Sequence, residues 1–189
     1  MGVTCVADIV VRMPITTRRA TATDAAELHD VAARTFALAC PPGTSQSDID
    51  DFIATHLSEA KFEEYLKDDH RILLLAEMAG APIGYSMLVR GPIADPDVRA
   101  VVDPATSIEL SKFYLLADSH GSGAAAVLMA ATVAEAAASG AAACWLGVNQ
   151  ENARAARFYE KSGFTVRGTK RFKVGEEWHD DHVRVRSLA

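Results

Sequence analysis

At 189 residues the chain has room for one hydrophobic core and not comfortably for two, since domains commonly run to roughly 100–200 residues. Its 49% apolar and 23% charged residues exclude general disorder, and charges interrupt the apolar runs too often for a membrane span. A net charge of -6 disfavours a nucleic-acid backbone, which is bound by clustered Lys and Arg, and is more hospitable to a cationic small molecule.

Cys5, Cys40 and Cys144 are widely separated and form no CxxC pair. Neither a metal site nor a disulfide framework is expected, and the setting reads as reducing and cytoplasmic. Residues 1–13 hold an apolar run, Val3 to Val11, interrupted by Asp8 and without a basic leader. They read as a tail, an expression remnant or the product of an alternative start at Met13, so the domain is expected to span 14–189.

The alternation from Ile15 to Ala20 predicts a short edge strand, with Thr23-Asp24 as the cap of a helix carrying Ala26, Leu28, Val31, Ala32, Thr35 and Phe36 at helical spacing. Pro41-Pro42-Gly43 ends it. A second helical stretch is predicted from an N-cap at Ser47 to about Lys67, with a break near Ser58. Arg71 to Met78 and Ile83 to Val89 read as a hairpin around Ala79-Gly80-Ala81-Pro82. Gly91 to Ala105 reads as loop. Then follow a strand at Ser107 to Leu116, a helix from Gly123 to Ala138 stopped by Gly140, a buried strand at Ala143 to Val148 and a short helix from Asn152 to Ser162. Phe164 to Val174 and His182 to Arg186 close as an antiparallel pair. The order β-α-α-β-β-β-α-β-α-β-β predicts a single α+β domain, a mixed, mostly antiparallel sheet with one parallel crossover, flanked by helices.

Two constellations carry chemistry. In the first, a strand ending Phe113-Tyr114-Leu115 leads through Ala117-Asp118-Ser119 into His120-Gly121-Ser122-Gly123-Ala124-Ala125. A Gly-rich turn opening a helix leaves backbone N–H groups free where the helix dipole also favours an anion, so a pyrophosphate suits it. Gly121 and Gly123 read as positions where the backbone comes close to a ligand, and the alanines as letting the helix lie close to the sheet. Alone, the turn reads more readily as an ordinary connection before a well-packed helix; it fits neither a P-loop nor a dinucleotide fingerprint. The second runs from Trp145 through Asn149, Asn152, Ala155 and Tyr159 to Gly163-Phe164: a strand, an Asn, a short helix with Ala and Tyr, and a closing Gly-Phe.

Together, in this order and separation, the two constellations resemble the GNAT superfamily of acetyl-CoA-dependent N-acetyltransferases. The resemblance implies a CoA pyrophosphate on the turn His120 to Ala125 and a pantetheine arm along Phe113, Tyr114 and Leu115. It also implies a pantetheine contact for Asn152 and a general acid in Tyr159. Without the resemblance, Asn152 is a helix cap and Tyr159 a core aromatic. Family members usually carry Arg or Gln where this chain has His120, and a histidine brings only part of a charge at neutral pH. Glu109 stands at the strand position from which some relatives supply the base, and strand N–H groups around Leu115 suit an oxyanion.

The N-terminal helical region and the ending Phe172 to Val183 look similar to bacterial polyamine N-acetyltransferases. Glu63, Glu64, Asp68, Asp69, Glu176, Glu177, Asp180 and Asp181 are the acidic residues that such a polycation would meet; the plainer reading makes them solvated turns and helix faces. The expected activity is transfer of acetyl from acetyl-CoA to a primary amine of a small molecule by direct attack on the thioester. The alternatives are a non-catalytic acyl-CoA-binding regulator and an acetyltransferase for a protein N-terminus or lysine. A homodimer is admitted as the assembly; no nucleic acid, membrane or metal is expected as partner.

Overall fold

The computed structural model describes residues 13–40, 43–174 and 177–188. Residues 1–12 of the expected 1–13 tail, the prolines Pro41 and Pro42, and Gly175 and Glu176 lie outside the described residues. Chain order is β1 (Ile15–Arg19), α1 (Ala25–Phe36), α2 (Gln46–His56), α3 (Glu59–Lys67), β2 (Arg71–Met78), β3 (Ala81–Val89), α4 (Pro96–Arg99), β4 (Ser107–Leu115), α5 (Ala124–Ala138), β5 (Ala143–Asn149), α6 (Ala153–Lys161), β6 (Thr165–Val174) and β7 (Glu177–Ser187). One seven-stranded sheet has the order β1-β2-β3-β4-β5-β7-β6, and β4 against β5 is its parallel pair.

Several boundaries differ from those expected, each for a local reason. The cap of α2 is Ser45 rather than Ser47: its hydroxyl accepts the Asp48 N–H at 3.1 Å and donates to the Asp48 carboxylate at 2.7 Å. Ser58 caps α3, its hydroxyl accepting the Lys61 N–H at 3.3 Å, and buried Leu57 anchors the break between the two helices. The expected loop after β3 contains α4, because Asp95 caps it, Pro96 suits its first turn and Val98 is fully buried. Strand β7 starts at Glu177, not His182, since pairing with β6 runs on from Thr169↔His182 to Val174↔Glu177.

The helices divide between the two sheet faces. Leu28, Val31, Phe36 and Phe62 from α1 and α3 pack on Leu73, Leu75, Tyr85 and Met87. On the other face α5 sets Ala124 and Leu128 against Leu74, Ala76 and Ile83, and Met129 and Ala136 beside Leu110 and Leu146. The small residues bring α5 close enough that the buried hydroxyls of Ser86 and Thr132 bond at 2.7 Å.

Asp24 ties β1, α1 and β2 together. Asp24 stands at the N-cap position of α1, as expected, and also closes the short turn that Thr21 opens ahead of it: the Asp24 carboxylate takes the Thr21 N–H at 2.6 Å and its hydroxyl at 2.9 Å. Both guanidinium arms of Arg18 reach the same carboxylate at 2.8 Å, while Arg18 Nε donates to Glu77 on β2 at 2.9 Å. Arg18 first, then the Thr21 donors, hold the buried Asp24 carboxyl far below the usual carboxylate range, against the opposing effect of burial. A depressed carboxyl contributes its stability above the unfolded pKa of about 3.9 and loses it as pH falls towards the folded value. Asp24→Asn is therefore expected to lower unfolding free energy by about 2 kcal/mol at pH 7. In urea titrations the gap from the unsubstituted protein should close as pH drops below about 3; a gap independent of pH would show that the charge is not its source.

Candidate active site

Strands β4 and β5 pair for three residue pairs, Ser107↔Ala143 to Glu109↔Trp145, and then part. Each stays fastened on its outer side: β4 to β3 as far as Leu115, β5 to β7 as far as Asn149. A gap therefore opens in mid-sheet above Glu109, bordered by strand edges whose backbone groups have no partner across it.

A bulge decides which β4 side chains face the gap. The register against β3 shifts between Lys112 and Leu110, leaving Ser111 as the extra residue. Ile108 and Leu110 lie in the α5 face before the bulge, Phe113 and Leu115 after it. Tyr114 packs into the α1 face, and Glu109 and Lys112, three residues apart, act on each other electrostatically on that side. Near the end of β4, Gly84 allows the close approach of β3, since a Cβ there would lie 2.6 Å from the Tyr114 carbonyl oxygen.

The gap widens into a cavity of about 320 Å³ reached by Glu109 to Tyr114 of β4, Gly147 to Asn149 of β5, Asn152 and Tyr159 of α6, Lys170 of β6 and Asp181 of β7. Phe36, Ala39, Cys40 and Phe52 close its apolar side. Burial raises the Glu109 carboxyl above its ordinary value, opposed by Lys170, Lys112 and Arg71. Burial likewise raises Asp181, with Lys170 opposing. Burial pushes the Lys112 ammonium down to about 8; Glu109 works against that and Arg71 with it. Tyr159 sits among Phe113, Phe158 and Phe164, and burial drives its phenol far above the ordinary tyrosine value. Its hydroxyl makes no hydrogen bond among the described residues.

Of the sequence-predicted residues, Glu109, Phe113, Tyr114, Asn152 and Tyr159 line this one cavity. Leu115 packs under α5 instead, and His120 to Ala125 form a turn beyond the end of β4. There the Ser122 hydroxyl donates to the Ser119 carbonyl at 2.6 Å and accepts the Ala124 N–H at 3.2 Å. The N–H groups of Gly121, Gly123 and Ala125 find no acceptor among the described residues. Gly121 and Gly123 have φ of 81° and 94°, and no atom lies within 4 Å of a Cβ built on either. The backbone sign, rather than crowding, is what demands glycine here. Asn152 caps α6, its Oδ1 accepting the Ala155 N–H at 3.0 Å, and lines the cavity; its amide nitrogen makes no hydrogen bond among the described residues.

Sequence reasoning missed Lys112, Gly147 and Lys170, and named Asp181 only within a broad acidic set. For Lys112 a signal exists: the apolar β4 positions 108, 110, 113 and 115 step by three at the bulge. Of that acidic set, Glu63 pairs with Lys67 at 3.5 Å, Glu64 with Lys61 at 2.5 Å and Asp68 with Arg71 at 2.9 Å. Among the described residues no group of acids, histidines and cysteines is arranged to hold a metal ion, and no helix is long and apolar enough to cross a membrane.

Comparison with known proteins agrees with this geometry. Residues 33–164 match the model of the acetyltransferase (GNAT) family. Uncharacterized N-acetyltransferases of Mycobacterium bovis and Mycobacterium tuberculosis are each 49% identical over 166 residues, covering 88% of this chain and 99% of the relative. The PaiA N-acetyltransferase from Thermoplasma acidophilum in complex with coenzyme A shares the fold with a TM-score of 0.73 at 21% identity, covering 93% of this chain and 99% of that one. The yncA structure of Salmonella typhimurium with acetyl-CoA does so with a TM-score of 0.65 at 22% identity, covering 93% and 95%. With more than half of its length inside the family model and relatives at nearly half identity, the chain belongs to the acetyltransferase (GNAT) family.

Proposed function

We propose that the enzyme moves an acetyl group from acetyl-CoA to a primary amine of a small molecule. The observation that carries this reading is the parting of β4 and β5 above Glu109, with a carboxylate on one side of the gap and an uncommitted phenol on the other. Acetyl-CoA supplies the acetyl group as an activated thioester, open to direct attack by a neutral amine. The residues present suit such a donor. The free N–H groups of Gly121, Gly123 and Ala125 at the N-terminus of α5 fit a pyrophosphate, with His120 beside them. The unpaired edge of β4 at Phe113 and Tyr114 and the amide of Asn152 fit the amide groups of a pantetheine arm.

An alkylamine of ordinary pKa about 10.4 arrives protonated at neutral pH and has to lose a proton before it attacks. Glu109 takes it: burial makes this carboxylate a better proton acceptor than a solvated one, and three nearby cations work against that rise by favouring its charged form. Tyr159 donates to the departing sulfur, because its buried phenol stays protonated and serves no protein acceptor. A backbone N–H on the open edge of β4 polarises the carbonyl under attack. The narrower polyamine reading has less support, since Glu63, Glu64 and Asp68 are already paired within the chain. A reducing cytoplasm is the assumed setting, and Cys40 and Cys144 are free thiols.

Release of CoA thiol that depends on added amine is the expected activity across polyamines, amino acids, aminoglycosides and N-terminal peptides. No release with any of them would overturn the reading, and acetyl-CoA binding without release would favour a regulator instead. Tyr159→Phe should cut kcat by about 10²-fold while leaving Tm within a degree or two of the unsubstituted protein, because no protein hydrogen bond is lost. An unchanged kcat would remove Tyr159 from the chemistry. Gly123→Ala strains the turn by about 1–2 kcal/mol. If the free turn relaxes to escape that strain, binding must restore it, so calorimetry should show CoA Kd raised about tenfold.

A further inference from the structure

Four charged side chains line the cavity: Glu109 and Lys112 from β4, Lys170 from β6 and Asp181 from β7. Two are acids and two are bases, so among the described residues the lining brings no net charge to offer a polycation. Lys112 is the one left unmatched. It is half-buried, and among the described residues its ammonium makes neither a hydrogen bond nor an ion pair. Glu109 acts on it from beyond salt-bridge distance, while Arg71 and His56 are further cationic or titratable groups nearby. A partly desolvated cation without a counter-ion is costly, and an anion brought into the cavity removes that cost. That anion is not one held at the α5 turn: the bulge at Ser111 sends Lys112 to the α1 face of the sheet, whereas α5 packs on the other.

Gly147 adds an independent observation. Its φ is not in the left-handed region, yet a Cβ there would lie 2.5 Å from Lys170 Cε and 3.2 Å from Asp181 Oδ2. The bare backbone lets a second base and a second acid close over β5, facing the first pair across the gap. Beside both stands a flat apolar wall, the rings of Phe36 and Phe52, stacked at 4.3 Å and 6°. A polyamine presents cations at intervals and nothing for either lysine. A small molecule with one amine, one carboxylate and an apolar body matches every wall of a cavity of about 320 Å³.

Resting on the acetyl-transfer reading, we propose that the acceptor is of the amino-acid class, with its carboxylate held by Lys112, its amine directed to Glu109 and its apolar side chain against Phe36 and Phe52. Lys112 is then the residue that sets acceptor specificity.

The test compares acceptors that differ only in the carboxylate, phenylalanine against phenethylamine and leucine against isopentylamine, with spermidine alongside. Thiol release should favour the carboxylated member by about tenfold or more in kcat/KM. Lys112→Met should bring that ratio towards one, chiefly by raising KM for the carboxylated member, and Lys112→Arg should retain it. A preference for the bare amine or spermidine, or a ratio unmoved in Lys112→Met, would overturn the proposal while leaving acetyl transfer intact. Absence of release with every amine would overturn the transfer reading instead. Calorimetry of the same pairs with the CoA-loaded protein then decides the carboxylate by itself: tighter binding of the carboxylated member, lost in Lys112→Met, upholds it, and equal affinities defeat it.

Discussion

Two neighbouring strands that pair for three residues and then part need to be held apart by something other than each other. Here the holding is done from outside, by β3 along β4 from Glu109 to Leu115 and by β7 along the whole of β5. The cost of leaving strand edges open is set against two antiparallel ladders and two helical layers. Everything chemical in the molecule depends on that division. It exposes backbone groups in the middle of a sheet, where they are rigid, and it creates a cavity without hollowing out either hydrophobic core.

The bulge at Ser111 converts this opening into a site with a polar floor. In a regular strand Glu109 and Lys112 would point to opposite faces, and one of them would sit among the apolar residues beneath α5. One extra residue puts both on the α1 side and returns Phe113 and Leu115 to the α5 side. The same helical layer that buries them raises the carboxyl and lowers the ammonium. Proton affinity and substrate contact thus have a common structural origin in how closely α1 and α2 cover β4.

What could be read without coordinates follows from how local each signal is. The α5 turn and the cap at Asn152 are spelled by consecutive residues, and both sit where the sequence put them, although the glycines answer to backbone φ rather than to crowding. The break between α2 and α3 was legible at Ser58, but the cap of α2 was not, because Ser45 and Ser47 offer similar spacings and only the reciprocal bond with Asp48 separates them. Lys170 and Asp181 become visible as site residues only after β7 is inserted between β5 and β6. No local pattern announces that strand order. The acidic residues read as a polycation site illustrate the same limit, for their partners Lys61, Lys67 and Arg71 were in plain view, but the pairing geometry was not.

The chain's net charge of -6 and the neutral cavity pull the acceptor question in opposite directions, and distance decides between them. Exposed charges act on an approaching ligand through solvent in which salt confines their effect to roughly 8 Å at physiological ionic strength. They raise the local concentration of cations at the surface without selecting among them. Inside the cavity the screening falls away, and the unmatched Lys112, with Glu109 beyond ion-pair distance, acts on whatever amine has entered. An ammonium that is drawn to the surface but brings no anion meets repulsion there from both lysines. A zwitterion forgoes the surface attraction and gains the site. Discrimination is a difference between two bound states, so the four charges at the parted strands outweigh the larger but distant excess of carboxylates.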